Sequence, residues 1–311
     1  MSFEHLPAPS SISDVERDTG VAKETLRVWE RRYAFPQPLR DAQGERLYPA
    51  EQVAKLRLVK RLMDLGYRPG KMMSHNESQL QELAERTCNT DLLQQQPDLK
   101  LDSYLSLCKT HQIDVLRGNL TQAQLELGLK RFVIDVVAPL TTQVGMAWAR
   151  GDLTLFGEHL YTETVQAVLR TAIFGQQAAA GIATPRILLT TLPQERHGIG
   201  LLMAEALFVS EGAHCISLGV QTPLLDIVEA AHSQHADVVA LSFSSAMNAR
   251  QAMQGLSALR AALPATTALW AGGSCSALSK RLPALVRVLS LGEVGAIVTQ
   301  WRNQAKVGTP D

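Results

Sequence analysis

The sequence predicts a multidomain fold built from an all-α winged helix-turn-helix head, a four-helix bundle that forms a cap, and an α/β domain with a doubly wound parallel sheet. Three observations lead there. Residues 23–71 hold twelve Lys or Arg against six Asp or Glu, net +6, whereas residues 76–311 are net −3. From Leu101 to about Ala180 apolar residues recur at three- and four-residue spacing. After Pro185 the rhythm changes to short β-rich runs alternating with amphipathic helices. A length of 311 residues is too great for one small domain, and 46% apolar against 19% charged content supplies a core and excludes a disordered chain. The overall neutrality, 30 basic and 30 acidic residues, excludes a uniformly basic nucleic-acid coat but not a locally basic head.

Taken in chain order, Ser13-Asp14-Val15-Glu16 has capping-box spacing and predicts a helix start. Gly20 supplies a turn, and Ala22–Tyr33 predicts a second helix with Leu26, Trp29 and Tyr33 on its core face. The opposite face carries Lys23, Thr25, Arg27 and Arg31. A short helix, a glycine turn and a basic helix form a helix-turn-helix, which places the charged face in the major groove of double-stranded DNA. Arg40-Asp41-Ala42-Gln43-Gly44-Glu45-Arg46-Leu47-Tyr48 follows as a hairpin, a wing placed to touch phosphates. The polar stretch His75–Leu99, with Gln94-Gln95-Gln96-Pro97, predicts a helix and then a linker. These features divide the chain into a head at 1–75, a helix and linker at 76–100, a four-helix bundle at 101–183 with breaks near Gly118, Pro139 and Gly151, and an α/β domain at 184–311. The predicted strands are Arg186–Thr191, His214–Gly219, Asp237–Phe243, Thr267–Trp270 and Arg287–Leu291. Ligands of such sheets bind at the carboxyl ends of the strands, so the loops that follow them carry the function.

No apolar run reaches bilayer length, and Met1-Ser2-Phe3-Glu4 lacks the basic and apolar regions of a signal peptide, so a cytoplasmic protein without membrane association is expected. Cys88, Cys108, Cys215 and Cys275 lie far apart with no C-x-x-C pair. They are expected to be buried, inert thiols.

Thr25-Leu26-Arg27-Val28-Trp29-Glu30-Arg31-Arg32-Tyr33, followed by Arg40, Gly44, Arg46 and Tyr48, resembles the MerR family of winged-helix regulators across residues 11–72. The resemblance implies groove contacts from Lys23, Thr25, Arg27 and Arg31, and contacts to the DNA backbone from Arg40, Arg46 and Tyr48.

In the α/β domain, Glu195-Arg196-His197-Gly198-Ile199-Gly200 follows the first strand, Ser242-Phe243-Ser244 ends the third, and Ala271-Gly272-Gly273 ends the fourth. Together these resemble the cobalamin-binding pattern D-x-H-x-x-G, S-x-L and G-G, with Glu195 in place of Asp and Ser244 in place of Leu. The resemblance implies cobalamin as cofactor, most simply adenosylcobalamin, with His197 as the lower cobalt ligand and Glu195 as its carboxylate partner. A neutral imidazole that donates its second N–H to a carboxylate has a fixed tautomer and raised basicity, which suits that role. Gly200, Ser242, Ser244, Gly272 and Gly273 would make room for the nucleotide tail and supply amide and hydroxyl contacts to it.

Trp148, nine residues before Glu158-His159, resembles the cap of the CarH/LitR group, the light-responsive, cobalamin-dependent repressors of the MerR family. There the Trp covers the upper corrin face, with Glu158 and His159 lining the same cavity. Two positions depart from the group. Ala149 stands where a relative has a histidine that takes the upper cobalt position after photolysis, and Gln221 stands where an acidic residue is expected at a dimer contact. The implied function is an adenosylcobalamin-dependent, light-responsive repressor and photoreceptor, not an enzyme, that binds its operator as a homo-oligomer, dimer or tetramer. Two alternatives stand beside it: a MerR-type regulator controlled by a protein partner without cobalamin, and a corrinoid carrier of a methyltransferase system. The head argues against the carrier.

Overall fold

The computed structural model describes residues 9–64, 67–89, 99–179, 184–279 and 282–307. The described residues form two compact units, one within 1–97 and 144–156, the other within 98–143 and 157–311.

In the first unit, α1 (Ile12–Thr19) starts where Ser11 accepts from the Asp14 amide at 3.2 Å and the Asp14 carboxylate accepts from the Ser11 amide at 3.3 Å. The capping box is therefore Ser11 with Asp14 rather than Ser13 with Glu16. Both pairs have the spacing, and the earlier serine wins because Ile12 already lies inside the helix. Glu16 instead accepts from the Lys23 amide at 3.0 Å, at the start of α2 (Lys23–Tyr33). Between them Gly20 takes a left-handed φ of 70°. Strands β1 (Ser10–Ser11), β2 (Leu39–Arg40) and β3 (Arg46–Tyr48) form a small antiparallel sheet in the order β1-β3-β2, so the helical head also holds a sheet built around the wing. Helices α3 (Ala50–Asp64), α4 (Pro69–Met72) and α5 (Glu77–Asn89) follow. Val15, Leu26, Trp29, Tyr48, Leu56 and Leu80 share one core, so the head's packing extends past residue 75 into α5. Gln94-Gln95-Gln96-Pro97 lies outside the described residues.

The helical region comprises α6 (Leu99–Lys109), α7 (Ile113–Arg131), a π-helical segment Phe132–Val137, α8 (Ala138–Arg150) and α9 (Leu155–Ala179). Gly118 lies inside α7 and Pro139 inside α8, so neither ends a helix as expected. The chain instead bends at Gly128 (φ 74°, ψ 159°), a conformation open to glycine, and Pro139 is accommodated just after the wider π turn. Gly151, at φ 80°, does close α8.

The α/β domain runs β4 (Arg186–Thr190), α10 (Ile199–Ser210), β5 (His214–Gly219), α11 (Leu224–Ser233), β6 (Val238–Phe243), α12 (Ala249–Ala262), β7 (Ala268–Gly273), β8 (Val286–Leu289) and, after a 3-10 turn, α13 (Val294–Val307). All pairings are parallel, in the order β5-β4-β6-β7-β8. Successive side chains of a strand face opposite sides. Val239, Leu241 and Phe243 accordingly share a core with Ile227 of α11 and Leu256 of α12. On the other side Phe208 of α10 stacks on Trp270 at 5.7 Å. Among the described residues no helix is long and apolar enough to cross a membrane. Cys108, Cys215 and Cys275 are buried thiols, and burial pushes the Cys108 thiol up to about 11 and that of Cys215 higher still. The Cys88 side chain lies outside the described residues.

Candidate functional site

Strand order reverses at β4, which has β5 on one side and β6 on the other, and a crevice at such a point is where doubly wound sheets bind ligands. The loop after β4 carries Glu195 and His197, and the loop after β6 carries Ser244.

Glu195 is 1% exposed and every bond of its carboxylate is within this site. Oε1 accepts from the His197 amide at 2.9 Å and lies 2.7 Å from His197 Nδ1. Oε2 accepts from the Ser244 amide and hydroxyl, both at 2.7 Å. Burial pushes this carboxyl up, but the bonds from His197 and Ser244 outweigh it and hold the pKa at about 2. A charged carboxylate facing Nδ1 fixes the tautomer with the proton on Nδ1 and leaves the lone pair on Nε2. The His197 side chain is 54% exposed, whereas the carboxylate that orients it is enclosed.

The glycines set the floor. A Cβ on Gly200 would lie 2.9 Å from Ser242 Oγ, and one on Gly273, whose φ is 115°, would lie 2.0 Å from the Phe243 carbonyl oxygen. Gly272 and Gly273 pair with Ser242 and Phe243 across the β6–β7 ladder. Glu195, His197, Gly200, Ser242, Ser244, Gly272 and Gly273 thus come together at the ends of three adjacent strands. Sequence reasoning assigned Ser244 to making room for the nucleotide tail and to amide and hydroxyl contacts with it, whereas its amide and its hydroxyl both donate to Glu195. It overlooked Thr191, wholly buried just past β4, whose hydroxyl donates to the Glu195 carbonyl at 2.6 Å. A polar pair, Thr190-Thr191, ending an apolar strand was the available signal.

The remaining candidates are carried by other elements of the chain. Trp148, in the first unit, has a buried indole Nε1 without a hydrogen-bond partner among the described residues. In the second unit, at the start of α9, the Glu158 carboxylate lies 3.1 Å from His159 Nδ1 and accepts from the Thr162 hydroxyl at 2.8 Å. The side chain of Ala149 is outside the described residues. Gln221 has a left-handed φ of 61° and donates its amide to Thr191 Oγ1 at 2.8 Å.

In the head, Arg27 and Arg31 are exposed on α2, and Arg27 pairs with Glu24 at 2.6 Å. Lys23 and Thr25 are half-buried, Lys23 lying 3.6 Å from Glu16. At the wing, Arg40 donates to the Gly44 carbonyl at 2.6 Å across the turn. Arg46 pairs with Glu30 of α2 at 2.9 Å and fixes the wing to that helix. Tyr48 corrects the expectation of a DNA contact. It is fully buried, because alternation along β3 turns its ring into the head core, and burial pushes its pKa up.

Residues 10–71 match the MerR HTH family of regulatory proteins, and residues 113–172 match a B12 binding domain. The chain is 30% identical over 262 residues to the HTH-type transcriptional repressor CarH of Myxococcus xanthus, covering 83% of this chain and 86% of that one. It is 29% identical over 257 residues to the repressor CarA of the same organism, covering 81% and 83%. Among solved structures, the monomethylamine corrinoid protein of Methanosarcina barkeri shares the fold at a TM-score of 0.51 and 14% identity, over 64% of this chain and 96% of that one.

Proposed function

Because this chain belongs to the family of the HTH-type transcriptional repressors CarH and CarA, we propose that it represses transcription under the control of adenosylcobalamin, with His197 as the lower cobalt ligand. The observation that carries this reading is the hydrogen-bonded set Glu195–His197–Ser244, which engages Nδ1 and keeps Nε2 available for a metal. The donor set fits a corrin cobalt. When bound, adenosylcobalamin supplies a cobalt–carbon bond that light breaks.

The chain's own residues then have distinct tasks. His197 would hold the cobalt, with Glu195 fixing its tautomer and Ser244 fixing Glu195. Gly200, Ser242, Gly272 and Gly273 keep the crevice open for the nucleotide tail. Trp148, Glu158 and His159 serve the upper side. Lys23, Thr25, Arg27 and Arg31 read the major groove of a double-stranded operator, while Arg40 and Arg46 hold phosphates. Tyr48 supports the wing from inside. Cofactor binding in the cytoplasm assembles a homo-oligomer, dimer or tetramer, whose several heads bind one operator with multiplied strength. Light reverses this.

The test is an absorbance spectrum of adenosylcobalamin-loaded protein, in the dark and after illumination, beside operator binding in both states. His197→Ala should weaken cobalamin binding and shift the spectrum. Unchanged affinity and spectrum in that variant would remove the assignment.

A further inference from the structure

Two threonines at the end of β4 fasten the loop after β5 to the loop that carries the metal-ligand candidate. Both are wholly buried. Thr190 Oγ1 lies 2.7 Å from the Thr222 hydroxyl and 3.0 Å from the Gly219 carbonyl oxygen, within the first of these loops. Thr191 does something different, since its hydroxyl belongs to both loops at once. Its proton goes to the Glu195 carbonyl at 2.6 Å, and its lone pair accepts from the Gln221 amide at 2.8 Å. Two further bonds run beside it. The Thr222 amide donates to the Thr191 carbonyl at 3.2 Å, and the Gln221 side-chain amide to the Pro193 carbonyl at 3.2 Å. Val220, just before Gln221 in the chain, is 38% exposed, and its Cγ1 lies 3.3 Å from where a Cβ on Gly198 would stand.

From this geometry we propose that Thr191 is a positioning residue for the cobalt ligand, its hydroxyl coupling the loop at Gln221 to the Glu195–His197 pair. The proposal rests on the reading of His197 as that ligand. Glu195 is held by its backbone through Thr191 and by its carboxylate through His197 and Ser244, so displacing the backbone displaces the group that orients the imidazole. Removing the hydroxyl leaves the buried Glu195 carbonyl and the part-buried Gln221 amide without this partner, and the penalty at the buried carbonyl drives the loops to rearrange. Gln221 holds a left-handed backbone, sparsely populated for a residue with a side chain, so its loop has a ready direction in which to relax. Coupling of this kind runs both ways. A contact made at the exposed side of residues 219–222 would be felt at His197, and ligation at His197 would be felt there.

The experiment titrates hydroxocobalamin into full-length wild type, Thr191→Val, Thr191→Ser and His197→Ala, following affinity and the absorbance spectrum. Thermal unfolding of each cofactor-free protein accompanies it. Thr191→Val keeps the shape and loses the hydroxyl, so its affinity should fall about tenfold, the lower end for partners of a metal-bound histidine, and its spectrum should move towards that of His197→Ala. Thr191→Ser should restore both. If Thr191→Val does not fold, Thr191→Ala carries the same comparison. Wild-type affinity and spectrum in the variant lacking the hydroxyl, with both changed in His197→Ala, would overturn the proposal alone. A silent His197→Ala would overturn the ligand reading first and the proposal with it.

Discussion

A carboxylate that is almost wholly enclosed and yet ionised defines this protein's chemistry at the residue scale. Glu195 stays charged because four hydrogen-bond donors surround it, and the charge in turn keeps a proton on His197 Nδ1. The same arrangement has a stability signature. Its folded-state pKa of about 2 lies below the ordinary 4.5, so the stabilisation is complete above about pH 4.5 and is lost as pH falls towards 2. A depression of that size corresponds to roughly 3 kcal/mol. Cofactor-free Glu195→Gln should therefore lose stability at pH 7 and show a flatter decline between pH 5 and 2, measured by urea unfolding. An acid limb as steep as that of wild type would place the ionised carboxylate elsewhere. Ser244→Ala tests the other side of the same group: it removes one of the four donors and should destabilise by about 1–3 kcal/mol, the range for bonds to charged groups.

Whole elements show what the residues alone do not. Strand ends bring Glu195, Ser244 and Gly273 together from positions nearly 80 residues apart in the chain, and Gly273 closes the β7 end where no side chain fits. Gly273→Ala should destabilise the α/β domain by about 2 kcal/mol or more, because a Cβ would strike the Phe243 carbonyl at a φ that disfavours side chains. An unchanged melting temperature would contradict the close approach. In the head, Arg46 combines an ion pair to Glu30 with its proposed phosphate contact, so Arg46→Ala should reduce the salt dependence of operator binding by about one in slope. Wild-type salt dependence would refute the phosphate contact. These elements were legible to different degrees. The short, near-continuous apolar run Val238–Phe243 and the strand–helix rhythm made the parallel sheet plain, and the three strand-end motifs located the candidate site. Ser11 and Ser13 offer equal capping spacing, so the start of α1 was ambiguous by two residues. Gly118, Gly128 and Pro139 look alike as helix breakers, and only the backbone shows that the bend is at Gly128. Tyr48 reads the same from sequence whether its ring faces DNA or the core. The Thr190-Thr191 pair ending an apolar strand marked a polar position but not its role, because a buried hydroxyl bridging two loops depends on contacts that sequence spacing does not express.

At the scale of the whole molecule, a DNA-binding head and a cofactor domain in one chain place a sensor and an output under a single equilibrium. For cofactor binding to control the operator, the loaded and unloaded proteins must differ in affinity for DNA, and linkage then requires DNA to change cofactor affinity by the same factor. On the proposed reading, the upper side of the cofactor is where this chain departs from the expected pattern, since Ala149 would offer cobalt no lone pair. After illumination the upper position should therefore be held by water or by a different residue, and the cofactor should exchange more readily than under a second protein ligand. His159 is the cap histidine that the Trp148 spacing brings into question, and its ring is 66% exposed beside Glu158. Spectra of illuminated wild type and Ala149→His should differ, with two-imidazole ligation in the variant alone, and the variant should release cobalamin more slowly on dialysis after illumination. A two-imidazole spectrum in wild type that vanishes in His159→Ala would instead assign the upper position to His159. Operator binding separates the consequences. If cofactor loss resets the switch, fresh adenosylcobalamin added in the dark should restore DNA binding to illuminated wild type more rapidly than to illuminated Ala149→His. Equal recovery rates would show that ligation above cobalt does not govern the return to the repressing state.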